Sequence, residues 1–153
     1  MPKRNIYPGP NSTLPKNKWL DLTRLAQVEV SSEIPTRPVD DALVPGLNSG
    51  WSASQSGKQT VRLYFDEPRE LKKIHLAFKE DHHQRTQEFV LRYSEDGTAY
   101  RDIVRQQYNF NPPVVETEEY DVNLEKVAAL ELEIVPEISG GWAIASLAEW
   151  RLK

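Results

Sequence analysis

The chain has 153 residues, the size of one domain, and a domain of that size buries roughly 68–70% of its unfolded surface without covalent staples. It has no cysteine, and its 19 Lys and Arg against 23 Asp and Glu give a formal net charge of −4. That excludes disulfide frameworks, thiolate zinc sites and cysteine nucleophiles, and argues against a protein that binds nucleic acid by neutralising phosphates.

In chain order, the first feature is a run of prolines. Pro2, Pro8, Pro10 and Pro15 fall within fifteen residues, beside Gly9 and Asn11. Proline removes a backbone donor and fixes φ, so residues 1–18 read as an extended arm and residues 19–153 as the domain. The basic start Met1-Pro2-Lys3-Arg4-Asn5 is not followed by an apolar segment of the secretory kind, so the expected compartment is cytoplasmic unless the chain is a domain of a larger protein. No run approaches the ~20 apolar residues of a membrane span.

Helical periodicity is scarce. Only Trp19 to Ala26 approaches an i, i+3, i+4 stripe, and it is short. Elsewhere the period is two: Val28 and Val30 flank Glu29, Val61, Leu63 and Phe65 alternate with Arg62 and Tyr64, and Phe89, Leu91 and Tyr93 alternate with Val90 and Arg92. Leu130, Leu132 and Ile134 alternate with Glu131 and Glu133, which predicts one buried and one wet face. Leu147 and Trp150 to Leu152 close the chain with another apolar segment. Asp66-Glu67-Pro68 reads as a turn between two strands, Glu95-Asp96-Gly97 as a hairpin, and Asn111-Pro112-Pro113 and Ser139-Gly140-Gly141 as longer loops. Seven or eight short strands so spaced predict an all-β sandwich or barrel. Trp51 and Trp150 sit at strand edges within apolar patterns and are assigned to the core.

Three stretches resemble discoidin domains, the coagulation factor V/VIII type C family of the galactose-binding-like superfamily. The first is Leu43-Val44-Pro45-Gly46-Leu47-Asn48-Ser49-Gly50-Trp51-Ser52-Ala53, similar to the family's small-residue loop running into Trp-Ser and a strand. The second is Phe89 through Gly97 with Tyr100 beyond it, similar to a strand ending in Ser-x-Asp-Gly and a following aromatic. The third is Gly141-Trp142 through Ser146-Leu147-Ala148-Glu149-Trp150-Arg151-Leu152, similar to the family's last strand. The resemblance covers roughly residues 26 to 152 in the family's order and implies a jelly-roll β-sandwich of about eight antiparallel strands. It also implies a structural calcium ion near the first loop, for which Asp41, Asn48, Ser49 and Glu149 are the candidate ligands, with backbone carbonyls. Two departures stand against it. Val44 occupies the place of an expected Asp and offers a hard cation no side-chain oxygen. Glu131 and Glu133 lie on a strand where the family commonly carries an Arg.

The densest polar constellation is His82-His83, with Asp81 before it and Arg85 after. It reads either as a solvated loop or as a ligand-gripping one. In an extended segment adjacent histidines point to opposite sides and cannot clamp one ion. Tyr108-Asn109-Phe110-Asn111 and Trp142 combine flat rings with amides, the composition that packs against sugar faces and bonds their hydroxyls, although such rings also cap sandwich cores. No Gly-x-Ser-x-Gly elbow, phosphate loop or His-Glu-x-x-His helix is present, and the acidic run Glu116, Glu118, Glu119 and Asp121 reads as a solvated edge. With the resemblance, these residues imply a non-catalytic carbohydrate-binding module gripping a glycan with His82, His83, Arg85, Tyr108, Asn109, Phe110, Asn111 and Trp142 at one end of the sandwich. A protein-interaction or self-association module of the same fold is the alternative, to be told apart by an exposed apolar patch rather than a small polar pocket.

Overall fold

The structure, a computed structural model, describes residues 19–46 and 49–153; the segment read as a Pro-rich arm and Asn48 lie outside them. Eight strands follow in order: β1 (Ala26–Val30), β2 (Trp51–Ser56), β3 (Gln59–Glu80), β4 (Arg85–Ser94), β5 (Arg101–Phe110), β6 (Val114–Val135), β7 (Ile144–Leu147) and β8 (Glu149–Leu152). The expected helical stripe shrinks to one turn, α1 (Leu22–Leu25), and a second turn, α2 (Asp40–Leu43), precedes the first loop. Every strand pair is antiparallel, and the architecture is the all-β jelly-roll sandwich.

Two strands of 22 residues build the frame. The first part of β3 pairs with β1 and with the last part of β6, which in turn pairs with β4, and β4 with β5. The second part of β3 pairs with the first part of β6 and with β8. Between them the register slips at Tyr64 to Lys73. Buried positions accordingly change parity, from Val61, Leu63 and Phe65 to Ile74, Leu76 and Phe78, because an extra residue moves each later side chain to the other face. The Asp66-Glu67-Pro68 turn is therefore corrected: these residues lie inside one bulged strand, where proline's missing donor breaks no regular ladder. β2 and β7 form a separate two-stranded ribbon.

One core joins the inner faces of these elements, with Trp51, Trp150, Phe78, Leu91 and Leu132 fully buried. The Trp51 indole donates to the Ser32 carbonyl at 2.9 Å. Gly50 has φ +68, and a Cβ there would lie 2.6 Å from the Leu147 carbonyl oxygen, so the entry to β2 requires glycine. Among the described residues no helix is long and apolar enough to cross a membrane.

Candidate functional site

The connection between β3 and β4 is built around Glu80. Its Oε1 accepts from Arg85 Nε at 2.6 Å, and its Oε2 accepts from the backbone amides of His82 and His83 at 3.0 and 3.1 Å. Burial pushes the Glu80 carboxyl up, but the guanidinium and the two amides outweigh it and hold the group below the ordinary carboxylate range. The chain bends at Asp81 and His82 rather than running extended. That corrects the expectation of opposed histidines: both rings line one cleft, their centroids 6.2 Å apart.

Arg85 is 5% exposed. Its Nη1 donates to Gln87 Oε1 at 3.0 Å and to the Pro136 carbonyl at 2.9 Å, and its guanidinium carbon lies 4.5 Å from the centre of the Phe110 ring. With Nε and Nη1 so committed, Nη2 is the donor left for a ligand. Trp142, 66% exposed and carried on the Ser139-Gly140-Gly141 loop, lines the same cleft as this fixed group. Both glycines have positive φ, +88 and +97, a backbone that L side chains rarely adopt. The His83 ring meets the indole edge-on, centroids 4.6 Å apart.

These residues line a cleft of about 410 Å³ that is lined also by Arg37, Ser49 and Lys79. Arg37 Nε donates to the Ser49 carbonyl at 2.8 Å, and the Ser49 hydroxyl donates to Asp41. A smaller cleft of about 230 Å³ adjoins it, lined by His83, Arg85, Trp142 and Ala143 again and then by Gln84, Glu137, Ser139 and Gly140.

Of the residues singled out from sequence, His82, His83, Arg85 and Trp142 thus come together. Phe110 is corrected: it is fully buried, because β5 places it opposite Arg85 in the β4 ladder, and it supports the guanidinium instead of meeting a ligand. Tyr108, Asn109 and Asn111 do not line the cleft; the Thr86 hydroxyl donates to Asn109, and Tyr108 packs on Phe110 at 5.1 Å. Glu80 and Arg37 were missed by the sequence reading. The available signal was the Glu80 to Arg85 spacing across a two-strand connection, which brings the two strand ends together.

Two arrangements stand against the implied calcium. Glu149 lies 3.2 Å from His75 Nε2, whose Nδ1 lies 3.2 Å from Glu119. The carbonyls beside Val44 already hold a cation: Arg151, 5% exposed, donates from Nη1 to the Ala42 carbonyl at 2.7 Å and from Nη2 to the Val44 carbonyl at 3.5 Å. Among the described residues no group of three or more His, Cys, Asp or Glu is arranged to hold a metal. Of the other candidates, Ser49 donates its hydroxyl to Asp41, and Asn48 lies outside the described residues.

The family model of the F5/8 type C domain matches residues 27–150. No curated protein matches the chain. Among solved structures it is similar to CpGH89CBM32-5 from Clostridium perfringens, in complex with GalNAc-β-1,3-galactose, at 19% identity and TM-score 0.66 over 88% of this chain and 99% of that one. It is similar also to the family 32 carbohydrate-binding module of C. perfringens NanJ, in complex with galactose, at 15% identity and TM-score 0.64 over 83% and 92% of the two chains. The CBM32 of AlyQ, in complex with 4,5-unsaturated mannuronic acid, matches at 16% identity and TM-score 0.62 over 84% and 95%.

Proposed function

Because the chain belongs to the F5/8 type C domain family, we propose that it is a non-catalytic carbohydrate-binding module that holds a sugar in the cleft lined by Trp142 and Arg85. The observation that carries this reading is an exposed indole sharing a cleft with a buried guanidinium that keeps one donor unspent. A pyranose presents a face of C–H groups that packs on a flat aromatic ring and a rim of hydroxyls that needs fixed polar partners. Trp142 supplies the first. Arg85 Nη2 and the His82 and His83 rings supply the second, and the guanidinium is held in place before the ligand arrives, so little of its ordering entropy is lost on binding. The sugars held by the three similar structures support this ligand class.

Glu80 is unsuited to serve as the general acid of a glycoside hydrolysis. A general acid needs a carboxyl raised toward neutrality, whereas Glu80 is held ionised by Arg85 and two amides.

Thermal melting against a glycan panel tests the reading. A sugar at 100 times its Kd adds about 2.7 kcal/mol, which shifts the midpoint by several degrees. We expect such a rise for at least one neutral mono- or disaccharide, and its loss in Trp142→Ala. A panel flat throughout would overturn the proposal.

A further inference from the structure

The two clefts share His83, Arg85, Trp142 and Ala143 and then diverge. One continues over Lys79 and Arg37, the other over Gln84, Glu137 and Ser139. The Trp142 and His83 rings are therefore a common wall, and a ligand longer than one sugar has a second place to go. We propose that the smaller cleft is a second sugar subsite, taking the neutral pyranose next to the one held in the larger cleft. The inference rests on the carbohydrate reading above.

The chemistry of the smaller cleft fits a neutral, hydroxylated unit. The exposed Gln84 carries both donors and an acceptor on one side chain. Glu137 is fixed as an acceptor: Oε1 takes the Thr86 amide at 2.9 Å, and Oε2 takes the Ser139 amide at 3.0 Å and the Ser139 hydroxyl at 2.8 Å. The Ser139 amide first, then the Thr86 amide, hold its carboxyl below the ordinary range, so it stays ionised in mild acid and disfavours a carboxylated sugar beside it. Gly140 also lines this cleft and adds no side chain to it.

Calorimetric titration of the full chain with methyl β-galactoside and with GalNAc-β-1,3-galactose tests the subsite. Two added hydrogen bonds should make the disaccharide bind about tenfold more tightly. Gln84→Ala, a change at an exposed side chain outside the larger cleft, should bring the disaccharide close to the monosaccharide value and leave the monosaccharide unchanged. Equal affinities in the unmodified chain would overturn the second subsite and leave the carbohydrate reading standing. An undiminished difference in Gln84→Ala would also overturn it. Binding of neither sugar by the folded chain would remove both.

Discussion

Trp142 and Arg85 line the same cleft, yet their side chains are anchored in opposite ways, and this separates binding from stability. The indole is mostly in solvent and touches one ring, His83. Trp142→Ala should remove sugar binding while changing stability by no more than about 0.5 kcal/mol, the usual range for an exposed position. The guanidinium is buried against Glu80, Gln87, the Pro136 carbonyl and the Phe110 ring. Arg85→Met takes the guanidinium from the half-buried Glu80 carboxylate, which keeps only its two amide bonds, and leaves the Gln87 and Pro136 acceptors unpartnered, a loss of roughly 2–4 kcal/mol. Urea denaturation of the two variants measures both. Equal destabilisation would mean that Trp142 is a structural ring rather than a platform.

At the scale of strands, the outer face of the larger sheet carries one charge row. Glu29, Arg62, Glu131, Arg92 and Asp102 come from five neighbouring strands, and the links from Arg62 to Glu131, Glu131 to Arg92 and Arg92 to Asp102 measure 2.7, 2.8 and 2.9 Å. Alternation places Glu131 on the wet face, but the flanking arginines cover it until it is buried. Glu131→Gln should therefore cost about 2–3 kcal/mol, well above an exposed ion pair, and a loss under 0.5 kcal/mol in urea would contradict the row's structural role. The last strand supports a second prediction. Arg151→Met strands the Ala42 carbonyl and should lower the midpoint by several degrees, whereas calcium and a chelator should give the unmodified chain the same midpoint; a calcium-dependent rise would show that the carbonyls prefer the ion. These elements also show what a sequence discloses. The Asp96-Gly97 turn, the buried Trp51 and Trp150 and most strands follow from period-two patterns and local turn chemistry. The continuity of β3 does not, since a bulge changes the parity of the pattern at a proline and mimics a chain reversal. Nor does the pairing of Arg151 with Ala42, 109 residues away, or the burial of Phe110, which depends on the β4 register.

For the whole molecule, stability against pH combines two groups of carboxyls with opposite signs. Glu80 and Glu137 are held below the ordinary range, and so is Asp96, chiefly by the Ala99 and Thr98 amides. Their folded pKa values lie under the unfolded ones, so their contribution is present above about 4.5 and is lost as pH falls through the folded values. Glu118 works the other way. It sits on the first part of β6, on the half-buried face shared with Glu116 and Tyr120, and Tyr120 donates to Gln106 of β5. Burial, then the side-chain bond and charge of Glu116, raise its carboxyl to about 7. The folded chain keeps this proton where the unfolded chain has released it, so the contribution is full below the unfolded value of 4.5, declines from there to about pH 7, and is then gone. The melting temperature should accordingly peak near pH 5 and fall by a few degrees toward pH 7.5. Glu118→Gln keeps the shape and removes the titration, so it should flatten the fall above pH 5 and leave the acid limb unchanged. Melting curves of both proteins from pH 3 to pH 8 decide it: a slope between pH 5 and 7 that survives in Glu118→Gln would mean that other groups set the neutral limb.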